Sequence, residues 1–368
     1  MSSPAPRPGL MEIAPYVPGA SKIAGAEQVM KLSSNEGALG PSPRAVEAYR
    51  AVSAQIHRYP DGGSVALRAA IGARHGLDPE RIVCGAGSDE VLALLARAYA
   101  GPGDEILFGE HAFTMYPIFA LSVGATPVKA PETAFTVTVD ALLARVTDRT
   151  RLVYVANPNN PTGTFVTADE MARLRGGLPD DVVLVIDAAY SEYVTRNDYT
   201  PGVELVDAGD NVVMTRTFSK IYALGGMRLG WAYCPPAIAD VLNRIRPPFN
   251  IAGATQAAGI AAVNDIDFLT RSREHNSMWQ PWLSNRIAET GLETVPGVAN
   301  FVLVRFPGTA GRDAAAAMKF LNSRGIIARS TASAGIPEGV RITIGLEEEM
   351  RQTAAAIADF MTRTPAGK

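Results

Sequence analysis

Short, wholly apolar runs alternate along this chain with stretches in which apolar residues recur every three to four positions. Val65, Leu67, Ala70 and Ile71 share a helical stripe, which predicts a helix capped by Ser64. Arg81–Cys84 reads as a short strand. Ser88-Asp89-Glu90 then opens a helix carrying Val91, Leu94, Leu95 and Ala98, and after a Gly101–Asp104 turn Glu105–Phe108 is the next strand. Arg151–Ala156, Val182–Ile186 and Asn211–Thr215 are further apolar strands, and Thr167-x-x-Glu170 has the form of a capping box. Continuous apolar strands separated by helices argue for a mostly parallel sheet covered on both faces. Leu229–Cys234 follows with no helix between, so it is expected to run antiparallel.

After about residue 255 the texture changes. A helical pattern runs over 266–290, followed by a strand at 300–305 and a helix at 312–324. Strands at 326–329 and 340–344 and a last helix at 347–362 complete the chain. The organisation expected is an N-terminal arm that forms part of a small domain (1–44), a large α/β domain (45–255) and a small C-terminal α+β domain (256–368). Length agrees, since 368 residues correspond to roughly two domains.

Composition narrows the function classes. With 47% hydrophobic and 19% charged residues there is ample core, which excludes a disordered chain. Thirty-four basic against 37 acidic residues, without basic blocks, give no electrostatic reason for nucleic acid or an anionic membrane as partner. Two cysteines, Cys84 and Cys234, sit in apolar runs and suit a reducing compartment. Four scattered histidines form no metal-site spacing, so no metal is expected. No apolar run spans a bilayer, and Met1–Pro8 lacks the apolar stretch of a signal peptide, so a cytoplasmic protein is expected.

In an open α/β sheet, ligands bind beyond the carboxyl ends of the strands. Gly85-Ala-Gly-Ser-Asp89 follows the first strand and could hold a phosphate on its backbone N–H groups. Asn157-Pro-Asn-Asn-Pro-Thr-Gly163 follows the 151–156 strand. Asp187-Ala-Ala-Tyr190 follows the next, and Arg216-Thr-Phe-Ser-Lys220 the one after that. A phosphate loop, an amide, a carboxylate and a lysine therefore converge on one edge.

These motifs, with Arg228 eight residues after Lys220, resemble the fold type I pyridoxal-phosphate-dependent aminotransferases. Pro15-Tyr-Val-Pro-Gly19, Leu32-Ser-Ser-Asn-Glu36, His57-Arg-Tyr-Pro-Asp61 and Val340–Gly345 are similar to the histidinol-phosphate aminotransferase family in particular, from about residue 10 to about residue 360. The resemblance implies an α/β fold with a mostly parallel, about seven-stranded sheet and a small α+β domain. It implies pyridoxal 5'-phosphate as cofactor, with Lys220 as the amine that binds it and moves the proton. Asp187 would pair with the ring nitrogen, and Asn157 and Tyr190 would bond to the ring oxygen. Phe113 would stack on the ring. Ser88, Asp89, Thr217, Ser219 and Arg228 would hold the phosphate, with Tyr59 reaching in from the partner of a homodimer. Tyr16, Asn35, Arg329 and Arg341 would face the substrate. The chain departs from the family pattern at Gly37-Ala38, at Ala188 and at Thr331–Ala334.

The function this implies is transamination between L-histidinol phosphate and 2-oxoglutarate, giving imidazole-acetol phosphate and L-glutamate in histidine synthesis. Its partners would be a small-molecule amino donor and a 2-oxo acid. An aromatic-amino-acid aminotransferase of the same fold, a phosphothreonine decarboxylase-like enzyme and a non-catalytic cofactor-binding module are the other readings.

Overall fold

Seven strands hydrogen-bond into one sheet in the order Ile82–Gly85, Gly230–Tyr233, Val212–Thr217, Val183–Asp187, Thr150–Ala156, Glu105–Gly109, Thr126–Ala130. Six run the same way, and Gly230–Tyr233 lies antiparallel between two of them. This computed structural model describes residues 4–25 and 29–363; the expected arm begins, and the expected C-terminal domain ends, with residues outside that range.

The apolar runs are explained by the period of two. Val183 and Val185 join one hydrophobic cluster, while Leu184 and Ile186 join the cluster on the opposite face. The seventh strand, Thr126–Ala130, is an edge strand with Pro127 and partly exposed side chains, so it carries no such run.

A second sheet has the order Glu293–Val295, Phe301–Arg305, Gly339–Thr343, Arg329–Ser330, all antiparallel. It packs with Ile266–Ala288, Ala314–Ser323 and Glu347–Thr362 around Trp279, Leu283, Val302, Ile342 and Ile357. The strand expected over 326–329 is divided: Ile326–Ile327 pairs in parallel with Met30–Lys31, and only Arg329–Ser330 joins the second sheet. Leu32 enters this core, so the N-terminal segment packs here. Gly253–Asn264, which spans residue 255, packs on the helices Pro43–Ala51 and Val65–His75.

Two caps differ from expectation. Ser64 stands before Val65–His75 in the left-handed region (φ 49°), and its side chain caps nothing. A capping hydroxyl needs extended backbone at that position. Asp61 serves instead, its carboxylate accepting from Gly63 N (2.8 Å) and Val65 N (2.7 Å). Thr167 does accept from Glu170 N (3.4 Å), but the Glu170 carboxylate turns to Arg173 (2.8 Å) and leaves the box half made. Asp61→Ala should therefore destabilise the protein by about 1 kcal/mol and Ser64→Ala by much less, read as shifts of the urea midpoint. Equal losses would return the cap to Ser64.

Candidate active site

The parallel strands deliver their last residues to one edge, where a cavity opens toward the second sheet. Asp187 ends one strand and Thr217 its neighbour, with Lys220 three residues further on. Asp187 is buried. Its Oδ2 accepts from Tyr116 Oη (2.9 Å) and its Oδ1 from Thr215 Oγ1 (3.2 Å). Burial pushes its carboxyl up to about 6; the Tyr116 and Thr215 bonds oppose the rise, and the charge of Asp89 adds to it. Among the described residues no Arg or Lys side chain bonds to it.

Lys220 Nζ donates to the Ser34 carbonyl (3.3 Å) and lies 5.6 Å from the centre of the Tyr190 ring. Tyr190 Oη accepts from Asn35 Nδ2 (2.8 Å). Asn35 Oδ1 accepts from Thr343 Oγ1 (3.1 Å), so this side chain, which also lines the cavity, links Tyr190 to the strand Gly339–Thr343.

The fold does not bring Asn157 to the cavity lining. Asn157 is buried away from the cavity, with Nδ2 donating to Val166 O (3.0 Å) and Oδ1 accepting from Val166 N (2.8 Å). Both ends of its amide bond to Val166 and fix the loop, and the side chain does not line the cavity. Asn160, in the same motif, lines the cavity instead. Arg341 Nη1 donates to Asn160 Oδ1 (2.5 Å), which aims Nδ2 as the available donor. Three asparagines in a row of four residues look alike in sequence; only the fold separates them. Tyr116, the hydroxyl on Asp187, was missed as well, because a tyrosine in an apolar helix carries no distinguishing signal.

A cup for an anion lies beside Lys220. The helix Ser88–Tyr99 points its N-terminus there, and Ser88, Asp89, Thr217, Ser219 and Arg228 line the wall. Arg228 Nη1 reaches Ser219 Oγ (3.5 Å), and Nη2 reaches Asp89 (3.3 Å) in a half-exposed pair. Gly87 has φ +87°, and a Cβ there would stand 2.5 Å from Arg228 Nη2, so only glycine leaves room for the guanidinium. Phe113 lines the cavity with its ring edge-on to Tyr116 (5.7 Å).

Across the cavity, Arg341 is buried on the strand Gly339–Thr343, and Nη2 donates to Ser33 O (2.7 Å). Burial lowers its pKa to about 10, with Tyr190 opposing and Arg329 reinforcing the shift, so it remains a cation at neutral pH. Arg329 Nη2 donates to Val17 O (2.9 Å), and its guanidinium lies 6.0 Å from the Tyr16 ring. Neither arginine has a carboxylate partner among the described residues. Tyr59 does not line its own chain's cavity: it is 83% exposed and stacked on Phe249 (4.7 Å).

The residues present fit pyridoxal phosphate. A buried carboxylate without a cation suits a protonated ring nitrogen. The cup of hydroxyls, helix N-terminus and Arg228 suits a phosphate, and Lys220 stands between the two. No cluster of His, Cys, Asp and Glu suited to a metal occurs among the described residues.

The raised Asp187 pKa has a consequence for stability. The folded, ligand-free chain binds a proton at Asp187 between about pH 4 and pH 6, where the unfolded chain does not. Stability from this group is therefore lost as pH rises through that window, and cofactor-free Asp187→Asn should gain on wild type by roughly 2 kcal/mol between pH 4 and pH 8. Denaturant titrations of both at the two pH values measure it; a difference that does not change with pH would mean that Asp187 is ionised in the fold.

Comparison with known proteins agrees with the geometry. The chain is 60% identical to the histidinol-phosphate aminotransferase of Paramagnetospirillum magneticum, covering 98% of this chain and 99% of that one. It is 59% identical to the enzyme of the same name from Rhodospirillum centenum, with the same coverage. The crystal structure of histidinol-phosphate aminotransferase from Sinorhizobium meliloti in complex with pyridoxal-5'-phosphate superposes with a TM-score of 0.85 at 29% identity, over 92% of each chain. The family described as aminotransferase class I and II matches residues 27–357. With nearly the whole chain matched and a lysine, carboxylate and anion cup at the sheet edge, this protein belongs to the class I and II aminotransferases.

Proposed function

We propose that this aminotransferase uses pyridoxal 5'-phosphate to exchange the amino group of L-histidinol phosphate with 2-oxoglutarate, giving imidazole-acetol phosphate and L-glutamate. The observation that carries the reading is the position of Lys220 in a cavity walled by a buried carboxylate on one side and two arginines on the other, the carboxylate without a cation and the arginines without a carboxylate among the described residues. The full-length identity to enzymes named for this substrate supports it. When bound, the cofactor supplies an electrophilic carbon and a protonated ring that draws electrons from the donor's Cα.

The chain's own residues do the rest. Lys220 Nζ binds the cofactor and, once displaced, carries the proton away from the donor Cα. Asp187 keeps the ring nitrogen protonated, while Tyr116 and Thr215 hold its carboxylate in place. Tyr190 Oη and Asn160 Nδ2 orient the ring oxygen, and Phe113 covers the ring. Ser88, Thr217, Ser219 and Arg228 hold the phosphate. Arg341 takes the α-carboxylate of glutamate. Arg329 with Tyr16 takes the distal phosphate of histidinol phosphate, which has no α-carboxylate. Anions at either end of the donor thus find a cation.

The active unit in this reading is a homodimer in which Tyr59 reaches the neighbouring site. Its exposure and its distance from its own cavity support that role. The buried free thiols Cys84 and Cys234 fit a cytoplasmic setting.

Lys220→Ala should fold but lose several orders of magnitude in turnover. Heterodimers of Lys220→Ala and Tyr59→Phe chains hold one site with both defects and one with neither, so subunit exchange should yield activity above the mean of the parents. Simple averaging after verified exchange would place Tyr59 in its own chain's site.

Histidinol phosphate should be preferred over phenylalanine by at least about tenfold in kcat/KM, roughly 1.4 kcal/mol of transition-state binding. Arg329→Ala should narrow the gap by harming the phosphorylated donor more. Equal or better use of phenylalanine by the wild type would make this an aromatic-amino-acid aminotransferase.

A further inference from the structure

Behind the sheet, on the face opposite Thr215 and Thr217, a buried charged cluster takes no part in the chemistry described above. Arg216 Nη2 pairs with Glu192 Oε1 at 3.0 Å, and their side chains are only 9% and 5% exposed. Arg216 Nη1 stands 3.4 Å from His75 Nδ1, and its guanidinium lies 5.6 Å from the ring of Trp231, its partner on the antiparallel strand. An arginine only donates, so Nδ1 of His75 accepts and the imidazole is neutral; burial, and then the charge of Arg216, push its pKa down to about 3. Arg273, from the helix Ile266–Ala288, donates to the Glu192 carbonyl (2.8 Å).

The sequence positions of the pair give it meaning. Arg216 lies between Thr215, which bonds to Asp187, and Thr217, which lines the anion cup; Lys220 is four residues away. Glu192 lies two residues after Tyr190. The last backbone bond between these two chain segments is Ala188 N to Thr215 O (2.9 Å). Beyond it the segments separate, one to Tyr190 and the other to Lys220, and the ion pair joins them from behind.

We propose that the Arg216–Glu192 pair is a positioning device of the active site, which fixes the Tyr190 turn against the Lys220 loop with two charges that balance, so that the Lys220 nitrogen is biased by neither as long as both are present. The inference rests on the reading that Lys220 binds the cofactor. The groups packed around the pair are Arg74 and His75 from one helix, Arg273 from another, the Ser191 hydroxyl and the phenols of Tyr193, Tyr199 and Tyr222, with Asp187 beyond Tyr199; Lys220 itself faces the Ser34 carbonyl and the Tyr190 ring. Among the described residues Glu192 is the carboxylate that pairs with Arg216 and offsets its charge. Breaking a buried pair leaves an uncompensated charge whose field is weakly screened. Loss of Glu192 must make a cation at Lys220 less favourable, and loss of Arg216 must make it more favourable. A merely structural role has no reason to give opposite signs.

The test is a pH titration of the absorbance of the lysine-bound cofactor in holoenzyme, with thermal unfolding followed in parallel. The variants are Glu192→Gln, Arg216→Met, Arg216→Lys and the double Glu192→Gln/Arg216→Met. Glu192→Gln should lower the midpoint by about half a pH unit or more, and Arg216→Met should raise it by as much, each about a threefold change in proton affinity. The double variant should return close to wild type, and Arg216→Lys, which keeps the charge, should stay there. Shifts of the same sign, or no shift in folded and loaded variants, overturn the proposal. If Glu192→Gln does not fold, the arginine variants decide alone, and equal midpoints for Arg216→Met and Arg216→Lys overturn it. Absence of a lysine-bound band in the wild type would instead sink the functional reading.

Discussion

A carboxylate held in the dry edge of the sheet without a cation beside it is the constraint on which this molecule depends. Asp187 is supported by two hydroxyls, from Tyr116 and Thr215, and among the described residues by no positive side chain. Across the cavity the imbalance has the opposite sign, because Arg341 is a buried cation that bonds to Asn160 and Ser33 and, among the described residues, to no carboxylate. The two charges do not pair with each other, and the empty fold relieves the first only by taking up a proton at Asp187 below about pH 6. A ligand with a cationic ring and anionic arms satisfies both at once. Burial of these groups is therefore unfavourable to the empty fold and favourable to the loaded one, which couples stability to occupancy.

The N-terminal segment closes this arrangement. Met30–Lys31 pairs with Ile326–Ile327, and Thr343 N donates to Leu32 O (2.9 Å). The next two carbonyls turn to the cations of the cavity, Ser33 O to Arg341 and Ser34 O to Lys220. Asn300 Nδ2 holds the carbonyls of Asn35 (3.1 Å) and Glu36 (3.2 Å) from below. A stretch with little hydrophobic signal is thus fixed by its backbone groups, and through Asn35 it fixes Tyr190.

What could be seen in the sequence was whatever has a strong local cause. Strands buried on both faces announce themselves as unbroken apolar runs, and the polar residues that follow them mark the edge where Asp187 and Lys220 stand. Features decided by packing were hidden. Thr126–Ala130 is an edge strand that burial does not force to be apolar. Ser64 has the chemistry of a cap but a backbone that forbids it, and Asp61 takes its place. Asn157 and Asn160 differ in nothing that spacing records: one is locked to Val166 and the other is turned into the cavity by Arg341. Tyr116 became recognisable only when its helix was laid against Asp187.

The antiparallel strand Gly230–Tyr233 has a consequence for how the protein is made. It sits between Ile82–Gly85 and Val212–Thr217, so the glycine loop at the start of the anion cup is joined to the rest of the sheet only through it. A chain growing from its N-terminus can assemble the five strands from Glu105 to Thr217 in sequence, while Ile82–Gly85 waits without a neighbour. The cup closes only after residue 233 of 368 has left the ribosome. Until then the edge of Val212–Thr217 and both edges of Ile82–Gly85 are open to wrong pairing, and pairing across so long a sequence separation is slower than local pairing.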